Sequence, residues 1–220
     1  KVMKLGFVDG YVHGGTAQVG GIIGYVQSIS NTTIIDEVFF EGTVKKTNND
    51  NNDVGGIVGE FVEGQVLSNS FFKGKVINFG TGDTGGIAGE MRSSLGFQNL
   101  YFKGEIQVDR SNLAYVGGLI GYSLPTNNSL QVENGYAVAT VQNSQTTTTK
   151  MGGIVGTSSG SLPVTSLFQN LYFQGSSDVE ERYIGYLGTS STFTNVVSKT
   201  QSDLASPGAL ALSGLNSSII

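Results

Sequence analysis

One hydrophobic signature returns five times along the chain: an apolar or Thr position, two glycines, two apolar residues and a third glycine. It reads VGGIIG (Val19–Gly24), VGGIVG (Val54–Gly59), TGGIAG (Thr84–Gly89), VGGLIG (Val116–Gly121) and MGGIVG (Met151–Gly156), with a degraded copy YIGYLG at Tyr183–Gly188. Successive first glycines lie 35, 30, 32 and 35 residues apart. An aromatic signature alternates with it, as GFVDGYV, VFFEGTV, SFFKGKV, LYFKGEI, GYAVATV and LYFQGSS, starting at Gly6, Val38, Ser70, Leu100, Gly135 and Leu171. This is why the octapeptide FQNLYFKG (97–104) recurs almost unchanged as FQNLYFQG (168–175), two repeats later.

Each period holds three strand-like pieces: the Gly-Gly-apolar piece, a piece such as GQVLSN, and the aromatic piece. They are rich in β-branched and aromatic residues and bounded by Gly, Asn, Asp and Ser. Helical periodicity is absent before about residue 200. A unit this small cannot bury its own apolar face, but copies stacked at the spacing of neighbouring strands share one continuous core. The expected fold is therefore all-β, a right-handed parallel β-solenoid (β-helix) of about six coils over residues 1–199. A propeller is the competing architecture and needs four strands per blade. The variable stretches TNNDNND, NFGTGD, DRSNLAY and NSQTTTTK all fall just before the Gly-Gly phrase, so insertions map to one edge, which favours the solenoid. Residues 200–220 read as a helical cap over the last coil, with Asp203 or Ser206 as N-cap, Pro207 in the first turn and Leu210, Leu212 and Leu215 as its apolar set.

Stacking turns the repeats into columns. Side chains alternate faces along a strand, so Phe40, Phe72, Phe102 and Phe173 belong inside with Val44, Val76 and Ile106, and Val8 and Ala137 fill the same column as smaller members. The preceding column, Phe7, Phe39, Phe71, Tyr101, Tyr136 and Tyr172, shares parity with Glu41, Lys73, Lys103 and Gln174 and is expected at or near the surface. It reads either as a corner ladder of mutually stacked rings under neighbouring loops or as a stripe that contacts a protein or sugar partner. Glu37, Asn69, Asn99, Asn134 and Asn170, with Asn195 in the last coil, form a polar column suited to left-handed turns and coil-to-coil amide bonds.

The Gly-Gly strand is apolar on both faces. Ile22, Ile57, Ile87, Leu119 and Ile154 make one column, and Ile23, Val58, Ala88, Ile120 and Val155 the other. One is core; the other needs cover from the long loops or from another subunit. Glu60 and Glu90 follow the phrase in adjacent coils and are expected as solvated carboxylates, a shared Ca²⁺ being the alternative. Lys75 with Glu105 and Glu41 with Lys73 are set to pair between coils.

Chemistry is otherwise sparse. There are 33 glycines but only 3 prolines, which fits repeated close backbone packing rather than a disordered linker. No run of 18 apolar residues marks a membrane span. A net charge of −5 argues against nucleic acid. Cysteine is absent, so disulfides, thiolate metal sites and a Cys nucleophile are excluded. His13 is the only histidine, which excludes a HExxH zinc site and a three-His cage. The carboxylates look scattered over loops rather than paired in a groove, and the glycine phrases lack the lysine of a phosphate loop. No cofactor, metal or catalytic residue is expected. Asn31, Asn127 and Asn216 fit the N-glycosylation pattern. Beginning at Lys1, the chain reads as a processed product or an excised piece of something longer.

The V-G-G-[IL]-[IVA]-G phrase at a period near 30 resembles the GLUG repeat of secreted and surface-attached adhesins, also found in immunoglobulin-A-cleaving metallopeptidases. The similarity runs from Gly6 to Gly188. It implies an extracellular or cell-surface β-solenoid stalk, adhesin or filament subunit without an activity of its own, touching a protein or glycan and able to self-associate. The single histidine gives the peptidase chemistry no support. The alternative expectation is a carbohydrate-binding or carbohydrate-processing β-helix.

Overall fold

A computed structural model describes residues 1–27, 32–62, 65–92, 96–109, 115–124, 130–143, 150–158, 166–175, 184–187 and 191–198. The expected cap over 200–220 lies outside the described residues. Among those described there is no helix, and every strand pairing is parallel. The chain winds through three sheets in turn, stacking about four turns of a parallel β-solenoid. The first and widest sheet has nine strands, among them Phe39–Lys46, Gln65–Asn78, Phe97–Val108, Leu130–Asn143 and Ser166–Gln174. The second has five, from Val19–Gly20 to Lys150–Gly152, and the third has six, from Ile23–Gln27 to Ile184–Leu187.

The three expected pieces are distributed differently from their sequence reading. The GQVLSN-type and aromatic pieces run together as one long strand in Gln65–Asn78, Phe97–Val108 and Leu130–Asn143, with the left-handed residue between them stepping out of the pairing. Around Glu37 they stay two strands, Thr33–Asp36 and Phe39–Lys46. Glu37, Asn69, Asn99, Asn134 and Asn170 all have φ between 48° and 56°. Asn accepts that conformation more readily than other side chains, since its amide bonds locally. Here the amides also bond along the axis: Asn99 Nδ2 donates to Asn69 Oδ1 at 2.7 Å and Asn170 Nδ2 to Asn134 Oδ1 at 3.1 Å. The ladder ends on Asp36, whose Oδ1 accepts from Asn69 Nδ2 at 2.8 Å.

Conversely, the Gly-Gly-apolar piece splits into two strands around a corner. The N–H groups of Ile57 and Val58 both donate to the carbonyl of Ile87, at 2.9 and 3.0 Å, and the pattern repeats for Ile87 and Ala88 on Leu119. Two consecutive residues converging on one acceptor turn the chain sharply, so both apolar columns point inward. Ile57, Val58, Ile87, Ala88, Leu119, Ile120, Ile154 and Val155 are all fully buried in one core. Among the described residues, the column expected to need cover from loops or a second subunit is core from Ile57 and Val58 onward, while Ile22 and Ile23 of the first coil stay partly exposed.

The two sequence signatures interlock at this corner. Where the turn carries an inner phenyl, a Cβ on the second glycine of the phrase would run into that ring: Gly56 into Phe72 at 2.4 Å, Gly86 into Phe102 at 2.3 Å, Gly153 into Phe173 at 2.3 Å. The second glycine therefore makes the room that the phenyl column fills. Phe40, Phe72 and Phe102 stack at centroid spacings of 5.9 and 5.7 Å, and Ala137 takes the next place as expected. Each such ring contributes roughly 1.5–3 kcal/mol by burial.

Val8 is not in this column. The first coil carries one extra residue, so the register shifts between Phe7 and Gly10, with Asp9 at φ 55° in the resulting bulge. Phe7, not Val8, pairs with Phe40, and Val8 is left 62% exposed. By the same shift Phe7 leaves the outer ladder, where Gly6 stands opposite Phe39. Among the described residues, the large exposed apolar ones (Met3, Leu5, Phe7, Val8, Tyr11 and Tyr25) all belong to this terminal coil.

Candidate functional site

Two outer flanks of the solenoid gather chemistry-bearing side chains. On the wide sheet, Phe39, Phe71, Tyr101, Tyr136 and Tyr172 stand in one row at consecutive register positions. Phe39 and Phe71 stack at 4.9 Å with planes 2° apart, and Tyr101 and Tyr136 at 5.4 Å and 12°. The rings cover one another: Phe71, Tyr101 and Tyr136 are buried, and Phe39 and Tyr172 half-buried. Burial pushes the Tyr101 phenol up to about 12 and raises that of Tyr136, to which Tyr101 adds. The row next to it carries Glu41 and Lys73, paired at 3.5 Å, with the Lys73 ammonium 5.0 Å from the Phe71 ring centre. Further out, Lys75 and Glu105 pair at 3.0 Å. Both predicted coil-to-coil ion pairs form.

The other flank is acidic and was not legible as such. Glu60 and Glu90 are in register on adjacent strands of the third sheet, and both are buried rather than solvated. Above them, the residues just before the Gly-Gly phrase bring in Asp53 and Asp83. Together with Gln18, Arg92 and Tyr122 these line a pocket of about 310 Å³. Each acid has a partner. Asp53 Oδ1 accepts the Asp83 N–H at 2.8 Å, and Asp83 Oδ1 accepts the Tyr115 N–H at 2.9 Å, so the aspartates tie each turn to the next. Glu60 Oε2 accepts from Gln18 Nε2 at 2.6 Å. Arg92 bonds both oxygens of Glu90, at 2.6 and 3.2 Å, and lies 3.4 Å from Glu60.

Four carboxyls against one guanidinium distort the titration. Burial, with Asp83 and Glu90 adding, pushes Asp53 up to about 9. Burial pushes Asp83 up to about 8, and burial followed by Glu90 raises Glu60. The hydrogen bond to Glu90 raises Arg92 further, so it stays cationic. Asp53, Asp83 and Glu90 offer one oxygen each within 4.8 Å of one another, the beginning of a cation site. A hard cation such as Ca²⁺ takes about 6–8 oxygens, however, and Arg92 already supplies the counter-charge to Glu90. Glycosidase chemistry needs one protonated and one ionised carboxyl flanking a substrate. Asp53 is tied to the backbone and Glu90 to Arg92.

Aligning the repeats on their glycines would have found the aspartates, since Asp53 and Asp83 each stand two residues before the first glycine, as does Gln18. His13 is exposed on the wide sheet, as the register partner of Lys45, and bonds Thr47 Oγ1 at 3.0 Å. Asn31, Asn127 and Asn216 lie outside the described residues. No protein-family model matches the chain, and no curated protein matches it. Among the described residues no helix is long and apolar enough to cross a membrane.

Proposed function

We propose that this chain is a non-catalytic structural and adhesive module that works outside the cell or at its surface, as a stalk, adhesin or filament subunit of the GLUG-repeat type. In this reading it is a right-handed rod of about six coils, closed by a helical segment over 200–220. The observation that carries the reading is how completely the repeated chemistry is used for stacking. Inner phenyls lock onto glycines, amides bond amides along the axis, outer rings cover outer rings, and each acid of the pocket holds a neighbouring turn or Arg92. Such a column-built rod is stiff and presents long, regular outer rows to a protein or glycan partner. Electron microscopy of the purified chain, with binding to cell surfaces and glycan arrays, tests it. Rods or filaments that attach to a surface are expected; dispersed particles that attach to nothing would remove the reading.

The converging carboxyls favour a second reading, a carbohydrate-processing β-helix with Asp53 as acid and Glu90 as base. Polysaccharide cleavage that is lost in Asp53→Asn and Glu90→Gln variants would establish it over the first.

A further inference from the structure

We propose that a trench on the outer face of the wide sheet, floored by Gly42, Gly74 and Gly104, binds a linear uncharged glycan lying along the solenoid axis. The inference rests on the adhesive reading and names the chemistry of its partner.

Packing builds the trench. The three glycines have φ of 149°, 138° and 156° and stand one above another in register. A Cβ on Gly42, Gly74 or Gly104 would fall 2.0, 1.9 and 1.8 Å from the carbonyl oxygen of Gly10, Gly42 and Gly74, respectively. No side chain can rise from this floor, and the resulting depression has a volume of about 570 Å³. In the next turn Ala139 pairs with Gly104, and its methyl is buried in the core.

Wall chemistry selects the occupant. Thr43, Lys75, Glu105 and Thr140 stand in one row at consecutive register positions, with Gln142 at the far end. They present hydroxyl, ammonium, carboxylate and hydroxyl at strand spacing, spanning roughly 14 Å. The 3.0 Å ion pair of Lys75 and Glu105 cancels charge within the row while leaving each side chain about one-third exposed, at 35% and 33%. A charged polymer therefore gains no net attraction from this row, whereas sugar hydroxyls can accept from the Lys75 ammonium, donate to the Glu105 carboxylate and do either with the Thr43 and Thr140 hydroxyls. An extended peptide fits poorly, because the floor strands already pair on both sides and leave no main-chain ladder to extend. The neighbouring aromatic row stacks ring on ring, so the trench acts through hydrogen bonds, at modest affinity per site.

Titrating ¹⁵N-labelled protein with neutral linear hexasaccharides of the β-glucan, xylan and α-glucan types tests this, with a sulfated and a uronic-acid oligomer as charged comparators. The expected result is shift changes confined to residues 42–43, 74–75, 104–105 and 140–142 with at least one neutral probe. That binding should weaken at least tenfold in the Glu105→Gln/Thr140→Val double variant while the melting temperature stays within a few degrees. Silence from every neutral probe at millimolar concentration overturns the proposal, as do shifts mapping to the acidic pocket or the first coil, or tighter binding of a charged comparator. If the trench is silent while the protein still forms surface-attached rods, the adhesive reading survives and only the glycan assignment falls.

Discussion

Replacing Gly153 by Ala drives a methyl group into the Phe173 ring. Among the described residues, the new Cβ falls 2.3, 2.4 and 2.7 Å from three atoms of that ring, well inside contact distance. The ring is 4% exposed and has no free volume to retreat into. Overpacking of this kind costs about 1–3 kcal/mol. Phe173→Ala alone removes a buried ring, at about 3–5 kcal/mol. The two changes should not add: with the ring gone, the Gly153→Ala methyl enters vacated space, so the double variant should recover about 1–3 kcal/mol relative to the sum. Urea denaturation followed by circular dichroism gives the stabilities of the two single variants and the double variant. Partial rescue at 153/173 is expected. Strict additivity at 153/173 would refute the interlocking of glycine and ring.

Three further outcomes follow from the same structure. Asp53 and Asp83 hold their protons to about pH 9 and about pH 8 when folded, against 3.8 ordinarily, so the folded chain binds more protons than the unfolded one across that interval. Their contribution to stability is then full below about pH 4 and is lost as pH rises towards 9, and Asp53→Asn with Asp83→Asn should flatten the dependence of melting temperature on pH between 4 and 9. Arg92→Gln strips the counter-charge from two buried carboxyls and should cost about 1–3 kcal/mol at pH 8, shrinking towards pH 4 as Glu60, raised by burial, takes up its proton, read by urea titration at both pH values. Asn99→Ala breaks two rungs of the amide ladder and places alanine at φ 56°, for a loss of about 1–2 kcal/mol from the conformation alone, whereas Asn99→Gly should lose only the rungs.

The columns could be read from sequence because parity and repeat alignment are local properties. The phenyl column, the left-handed Asn column and the Lys75–Glu105 and Glu41–Lys73 pairs all stand where the repeat places them. What escaped reading depends on a backbone event that leaves little trace in residue type. The corner at Ile57–Val58 turns both apolar columns inward, although nothing in "GGIVG" distinguishes a bend from a straight two-faced strand. A single extra residue at Val8–Asp9 moves Phe7 between columns. The acidic pocket escaped because its members come from loops of unequal length, and only register brings Asp53 and Asp83 above Glu60 and Glu90. Burial of Lys46 and Asn78 is likewise a loop effect. Lys46 bonds Asp50 and the Asn48 carbonyl, while Asn78 bonds Thr84 Oγ1 and the Gly82 carbonyl, so each pins the insertion that follows it.

Direct in-register stacking is most simply tested by crosslinking, since the chain has no cysteine of its own. Lys73 and Lys103 are register partners on adjacent parallel strands, whereas Lys73 and Glu105 are offset by two residues. Strand spacing of about 4.8 Å brings the first pair within disulfide reach, while the diagonal of the second exceeds about 7 Å. Under mild oxidation, Lys73→Cys/Lys103→Cys should close quantitatively into an intramolecular disulfide, and Lys73→Cys/Glu105→Cys should remain reduced. Closure of both pairs alike, or of neither, would contradict the stacked arrangement on which every assignment here depends.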